Sequence, residues 1–418
     1  MKSYFKTYIN NFQGFSKEIW VLTLITYINR TGAMVMPFLT KYLHEEFSFS
    51  LGEVGWMLVS IGCGALLGSW LGGKLTDKVG FYTIMLASLF LTGFGIITLM
   101  FLYDFVELCV GLFLITAIAD MYKPAMYVAV SNFSNKQNRT RALSLVRLAV
   151  NLGIVSGPVF AGLLIQKNNY DYLFWIDGLT CIIAISIFML LIDERRINRV
   201  RKIVKKKKKR EKLGSKSLST DKNFIIFLCA SFLTSVLFFQ LFTTIPVYNT
   251  EKLKLNELEI GMLISLNGLL IFLLEMPLIG YLERKSYETT KIILVGSVFM
   301  ASGFFCLMFS KSIFILVISI SLITLGQILL FSFSNAFAFS RAINGHEGRY
   351  MAMYTMCFSA AQILSAKMGF AVIESFSYVS NWFFMGMIGI VGIFLYYKLD
   401  KNIRFEAVLK QQKLANAN

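Results

Sequence analysis

Long apolar runs separated by short polar breaks set the pattern of this chain from end to end. Twelve such runs fall near 19–42, 51–73, 82–103, 105–130, 141–166, 171–193, 223–248, 258–282, 290–309, 312–338, 349–373 and 378–398. Each is about as long as the ~20 residues a helix needs to cross a ~30 Å hydrocarbon layer. In hydrocarbon the backbone must satisfy its own N–H and C=O groups, which a helix does within one segment. The pattern predicts an all-α membrane protein of twelve transmembrane helices and leaves no room for a sizeable soluble domain.

The polar breaks are not equal. The run RVRKIVKKKKKREKLGSKS, within 194–222, has too little apolar surface to fold and must be solvated. It divides the chain into a six-helix half (1–193), a basic linker (194–222), a second six-helix half (223–398) and a tail (399–418). The two halves repeat each other. Gly55 and Gly73 correspond to Gly261 and Gly280, Pro37 to Pro246, and the RALSL at 141–145 to the RYMAM at 349–353, at offsets between 206 and 209. A shared offset across four anchors is the signature of an internal repeat. Six spans, a linker and six more in the same orientation make a parallel, pseudo-symmetric pair of halves.

Composition supports the membrane assignment, with 56% hydrophobic and 16% charged residues. The net charge of +17 would suit nucleic-acid binding, but its placement argues otherwise. Of 41 Lys and Arg, 32 lie in the N-terminal tail, every second loop and the C-terminal tail (with Lys398), 5 in the opposite loops and four inside spans. This is the positive-inside asymmetry, and it predicts a multi-pass protein of the cell inner (plasma) membrane with both termini cytoplasmic. The linker's basic cluster is suited to anionic lipid headgroups, so membrane lipids are expected partners and nucleic acid is not. The six cysteines all lie in apolar runs without a CxxC, and His44 and His346 fall in loops. Neither a metal site nor a histidine proton relay is expected. No Ser/His/Asp set, P-loop or extramembrane catalytic domain is found, which argues against an enzyme, an ATP-driven pump and any cofactor.

Two motifs carry a family resemblance. After span 2 the sequence GGKLTDKVGFY (72–82) resembles the major facilitator loop motif Gly-x-Leu-x-Asp-Arg-x-Gly-Arg-Lys, with Gly73, Leu75, Asp77, Lys78 and Gly80 in place and Phe81 and Tyr82 where two basic residues are usual. In span 5, NLGIVSGPVFAG (151–162) resembles the family's Gly-x-x-x-Gly-Pro-x-x-Gly motif through Gly153, Gly157, Pro158 and Gly162. The spacing of Gly153, Gly157 and Ala161 puts small residues on one face, where another helix can approach closely. A bare cytoplasmic turn and a bare packing motif are the alternative readings. The resemblance implies the major facilitator fold, with substrate bound near the midplane and a gate at Asp77 that caps a helix end and pairs with basic residues of the other half. It is nearest to drug/proton antiporter-like exporters. The Lys-Pro step of DMYKPAMYVAVSNF (120–133) adds a weaker similarity to proton-coupled peptide transporters, whose Glu-x-x-Glu-Arg signature is reduced here to Arg30 in ITYINRTG (25–32).

A charge within the membrane is costly and marks a cavity or a partner. Arg30, Asp120, Lys123, Arg147, Glu275 and Lys367 are the candidates, with Asn151 four residues beyond Arg147. Asp120 and Lys123 share a helical face. Two roles compete: Asp120 pairs with Lys123 or Arg147 to hold spans 4 and 5 together, or Asp120 or Glu275 carries a transported proton beside a cation that senses it. Glu275 has no neighbouring cation in sequence. The excess of cations in this set suits an anionic or zwitterionic group. The resulting expectation is a monomeric secondary transporter of small organic solutes, coupled to protons and directed outward. The alternative is import of peptides, amino acids or organic anions, with Arg30 and Lys123 clasping a carboxylate.

Overall fold

The computed structural model describes residues 12–35, 39, 42–43, 47, 49, 51–135, 137–165, 170–192, 221–255, 257–285, 287–309, 312–342 and 346–415. Pro37 and nearly all of the linker lie outside them. The chain forms two compact units, Met1–Ser215 with Ala342–Ser359, and Lys216–Arg341 with Ala360–Asn418.

The first unit holds α1 (Lys17–Gly32), α2 (Leu51–Val79), α3 (Phe81–Leu99), α4 (Phe105–Asp120), α5 (Tyr122–Phe133), α6 (Arg139–Ile165) and α7 (Asp171–Leu191). The second holds α8 (Lys222–Gln240), α9 (Thr244–Glu251), α10 (Glu257–Arg284), α11 (Thr289–Leu307) and α12 (Ile313–Arg341). Next comes α13 (Glu347–Ser375), which begins in the first unit and ends in the second, and then α14 (Tyr378–Ala415). Among the described residues ten helical stretches are long and apolar enough to span a membrane, with α4–α5 and α8–α9 counting as one stretch each. With α1 and α6 these make the twelve spans of an all-α membrane fold. Large apolar side chains such as Trp56, Phe94, Leu190 and Phe314 are exposed, as expected of surfaces that face lipid.

The internal repeat reappears as packing. In the first unit α2 packs on α4, α3 on α4 and α7, and α1 on α7; in the second, α10 packs on α12, α11 on α12 and α14, and α8 on α14. Small residues set some of these distances. A Cβ on Gly64, Gly68 or Gly72 of α2 would meet the α4–α5 backbone at 2.4, 2.1 and 2.6 Å.

Three spans expected to be continuous are interrupted, and proline accounts for two of them. Pro124 lacks the N–H that would bond the Asp120 carbonyl, so the ladder lapses between α4 and α5 while Met121 keeps helical dihedrals (φ −62°, ψ −26°). Pro246 likewise frees the Phe242 carbonyl, between α8 and α9. Span 1 breaks after Gly32, and Val35, Leu39, Tyr42 and Leu43 beyond the break are again helical. Ala33 (φ −69°, ψ 67°) is the centre of an inverse γ-turn closed by the Met34 amide on the Gly32 carbonyl at 2.7 Å.

The tail expected at 399–418 is helical as far as Ala415. Its Lys, Glu, Gln and Ala residues are good helix formers, and ion pairs hold it down. Arg341 grips Asp221 with two nitrogens (3.0 and 2.6 Å) and Glu406 with a third (2.7 Å). Asn223 donates to Glu406 at 2.7 Å, and Arg404 pairs with Asp400 and, at 3.2 Å, with Glu288.

Candidate functional site

Asp77 sits in the last turn of α2, with its carboxylate almost fully buried. Its Oδ1 accepts the Gly348 amide at 2.6 Å and its Oδ2 the Arg349 amide at 3.1 Å. Both amides lie in the first turn of α13, where the helix dipole also favours a negative charge, and the Arg349 amide is shared with the His346 carbonyl at 3.1 Å. Arg349 Nε stands further off, at 3.7 Å, on a side chain 43% exposed. The backbone cap therefore dominates the ion pair. Gly73 and Gly348 let the two helices approach: a Cβ on Gly73 would stand 2.5 Å from the Gly348 carbonyl oxygen, and one on Gly348 2.8 Å from Asp77 Oδ1. Gly80 supplies the turn into α3 at φ 110°, a left-handed conformation that other residues rarely adopt. Lys78 is exposed beside it. The two aromatic residues that replace basic ones in the motif pack inward, Phe81 on Phe133 and Tyr82 on Phe188.

The span 5 motif lies in α6, where Gly153 and Gly157 face α1. A Cβ on Gly153 would meet Arg30 Cβ at 2.5 Å, and one on Gly157 would meet the Thr31 carbonyl oxygen at 3.0 Å. Thr31 and Ser156 share a hydrogen bond of 3.1 Å across the same contact. Pro158 and Gly162 continue the helix, and their side-chain environment lies outside the described residues. The motif thus packs span 5 on span 1 within one unit.

The interior charges separate into three groups. Asp120 and Lys123 form an ion pair of 2.7 Å across the α4–α5 interruption, with the Asp120 carboxylate 10% and the Lys123 side chain 34% exposed. Arg30, in the last turn of α1, bears electrostatically on Asp177 and on Tyr122, which contacts Thr26 at 3.4 Å. Asp177 is 4% exposed in α7 and accepts the Val35 amide at 3.3 Å, and Cys181 one turn on accepts from Asn29 at 3.2 Å. Arg147 and Asn151 are half-buried along α6, and Lys367 is exposed on α13.

Glu275 belongs to the second unit. It is completely buried in α10, with Oε1 accepting from Ser332 of α12 at 3.0 Å. Two turns away the same helix pair is joined by Asn267, which donates to Thr324 at 2.7 Å and Gln327 at 3.0 Å. The aromatic residues of spans 7 and 10 are used in packing, with Phe238 edge-on to Phe331 at 4.9 Å and Phe242 at 5.4 Å.

Asp177 is absent from the sequence inventory of interior charges. A lone carboxylate in the apolar run YLFWIDGLTC, four residues before a cysteine on the same face, was the available signal.

The family model described as Major Facilitator Superfamily matches residues 19–366. The chain belongs to this superfamily. It is a multi-pass membrane transporter of small molecules and not an enzyme. Among its relatives is an uncharacterized MFS-type transporter, YttB, of Bacillus subtilis (strain 168), 21% identical over 86% of this chain and 89% of the relative. A Na(+), Li(+), K(+)/H(+) antiporter of Planococcus maritimus is 18% identical over 88% of this chain and 92% of its own. A homolog of the multi-drug resistance efflux pump PmrA from Lactococcus lactis subsp. lactis (strain IL1403) is 24% identical over 45% of this chain and 47% of its own. The major facilitator fold is also seen in the crystal structure of a bacterial homologue of the iron transporter ferroportin in an outward-facing state. That structure matches 92% of this chain and all of its own, with a TM-score of 0.73 and 13% identity.

Proposed function

We propose that this transporter exports small organic solutes in exchange for protons, by alternating access, from the plasma membrane with both termini in the cytoplasm. The observation that carries the coupling is Glu275. A carboxylate with no exposed area inside a span is where gain or loss of a proton changes the local energy most, and its hydroxyl partner Ser332 can serve either protonation state. Asp77 is the cytoplasmic gate residue, because a cap on two backbone amides can be made and broken as a unit. The 2.7 Å bond to Lys123 supports a structural role for Asp120, the weaker coupling candidate.

The charge pairing supports export over uptake of a carboxylate-bearing solute. Import of a carboxylate-bearing solute would use Arg30 and Lys123 as a clasp, yet Lys123 is bonded to Asp120 and Arg30 acts on Asp177. Two relatives bear the names of an antiporter and an efflux pump, which agrees with export coupled to a counter-flowing ion. Substrate is first identified by thermal shift of the purified protein across drugs, peptides and organic acids, since a ligand of the folded state raises its apparent stability. Proteoliposomes of known sidedness, loaded with the strongest hit and given a pH gradient, then test the mechanism. Glu275→Gln is expected to abolish gradient-driven flux while leaving exchange at equal pH. Flux and pH dependence like those of the wild type would remove Glu275 from the mechanism.

A further inference from the structure

Each unit interrupts its first span at the equivalent place, and the two interruptions are held differently. Arg30 and Gln240, 210 residues apart, stand just before the breaks at Ala33 and at Leu241–Thr243. Both also lie against a glycine of the fifth span of their unit. A Cβ on Gly153 would meet Arg30 Cβ, and one on Gly369 would stand 2.6 Å from Gln240 Oε1. In the second unit the clamp is neutral. Gln240 Nε2 donates to the Ser365 carbonyl and hydroxyl at 2.7 and 2.9 Å, and Thr244 donates to Gln240 Oε1. In the first unit it is a carboxylate. Asp177 accepts the Val35 amide just beyond the γ-turn and bears on the Met34 amide that closes it, with Arg30 one helical turn back.

The surroundings of Asp177 leave few other charges to act on it. From α1 it faces Arg30, from its own helix Cys181, and Tyr122 of α5 completes the cluster around Arg30. Packed against α7, α3 has no charged residue between Phe81 and Leu99. The basic residues of α6 at 139, 141 and 147 end about 9 Å along that helix from the Gly153 contact. The side beyond the turn is closed by an apolar cluster that includes Met34, Val35, Tyr42, Tyr170 and Phe174. Gly32 sits so tightly on Thr180 of α7 that a Cβ would overlap its hydroxyl, so the bend cannot slide along α7 without parting from it.

We propose that Asp177 is the positioning residue through which a proton acts on span 1: its carboxylate clamps the Val35 amide at the turn, and its neutralisation releases it. The inference rests on the proton-coupled reading above. Hydrogen bonds to an ionised acceptor are roughly twice as strong as those to a neutral one, so protonation weakens the clamp while leaving the glycine packing on α6 untouched. The neutral clamp at Gln240 does not respond, so one of the two symmetric bends is proton-sensitive and the other is fixed.

Hydrogen exchange followed by mass spectrometry on the full-length protein in lipid nanodiscs, corrected for the intrinsic pH dependence of exchange, tests this without a substrate. Protection of the peptide covering Gly32–Val35 is expected to fall about five- to tenfold on acidification in the wild type. It should be independent of pH in Asp177→Asn, and the Leu241–Thr244 peptide should be independent of pH in both. A pH-dependent loosening that persists in Asp177→Asn, or wild-type protection that does not vary with pH, overturns the proposal. Should Asp177→Asn fail to fold, Arg30→Gln keeps the test open. Removing the cation must move the transition to higher pH, and an unmoved transition is refuting. Pair this with gradient-driven flux. Flat protection beside intact coupling sinks this inference alone, whereas pH-dependent protection in a protein that moves nothing with protons sinks the coupled-transport reading alone.

Discussion

Replacing Asp77 by Asn tests whether a backbone cap or an ion pair closes the gate. The substitution keeps one carbonyl oxygen in place but removes the charge and turns the second acceptor into a donor aimed at a backbone N–H. Of three contacts, the two to the Gly348 and Arg349 amides are short and nearly dry, at 2.6 and 3.1 Å, and the third, to Arg349 Nε, is 3.7 Å long and exposed. A hydrogen bond to a charged group contributes ~1.5–3 kcal/mol, and an exposed ion pair ~0–1 kcal/mol. Losing one amide contact and weakening the other should cost the capped state about 2 kcal/mol, a shift of roughly 30-fold in the equilibrium between capped and uncapped forms. Arg349→Gln, which leaves both amides in place, should shift it by less than about fivefold. Cysteine accessibility to a membrane-impermeant reagent, applied from each side of the membrane, reports the balance for both variants. Equal effects of the two substitutions would show that the ion pair, and not the helix cap, holds the gate. No effect of Asp77→Asn on accessibility or flux would remove Asp77 from the gate altogether.

Two further substitutions probe the packing that supports the site. Gly153→Leu places side-chain atoms where Arg30 Cβ and the α1 backbone already stand 2.5–2.9 Å from a bare Cβ; overpacking of this kind costs about 1–3 kcal/mol and should lower the melting temperature in detergent, whereas Leu152→Ala, on the exposed neighbouring position, should not. Arg341→Lys keeps the charge but loses the fork that holds Asp221 and Glu406 together. It should destabilise the second unit by about 1–2 kcal/mol and raise proteolysis of the helical tail; an unchanged digestion pattern would show that the tail is held elsewhere.

The twelve spans and the repeat were legible because both are written in local pattern: apolar length sets a span, and a shared offset sets the symmetry. The place of Asp77 at the end of span 2 was legible through its motif, but its partners were not. The resemblance implies basic residues, while the structure puts backbone amides of residues 348 and 349 first, and backbone groups have no sequence signature. The breaks in spans 4 and 7 follow from Pro124 and Pro246, which the hydropathy pattern passes over because proline lies within apolar runs on both occasions. Asp177 was missed for a different reason. The Val35 amide it accepts leaves the helical ladder only because span 1 turns at Ala33, and the cation it faces is 147 residues away.

Asp177 changes the charge balance that bears on substrate. Counted from sequence, four interior cations outnumber two acids, and the surplus suggests a site for an anion. With Asp177 included, Arg30 and Lys123 each have a carboxylate to act on, and Lys367 is exposed at the surface. Arg30 and Lys123 therefore make no spare pair of cations for a substrate carboxylate. In the second unit Glu275 accepts from the Ser332 hydroxyl. This arrangement favours solutes recognised by shape, aromatic contact and neutral hydrogen bonds, with protonation acting on the protein's own carboxylates. The pH profile of binding separates the two cases. A substrate held by a clasp of cations should lose affinity as its own carboxylate is protonated, whatever residue stands at 177 or 275. A substrate held by neutral contacts should show a pH dependence that disappears in Asp177→Asn or Glu275→Gln. If binding follows the ionisation of the ligand in both variants, the charge pairing in the first unit does not govern recognition, and import of organic anions becomes the better reading.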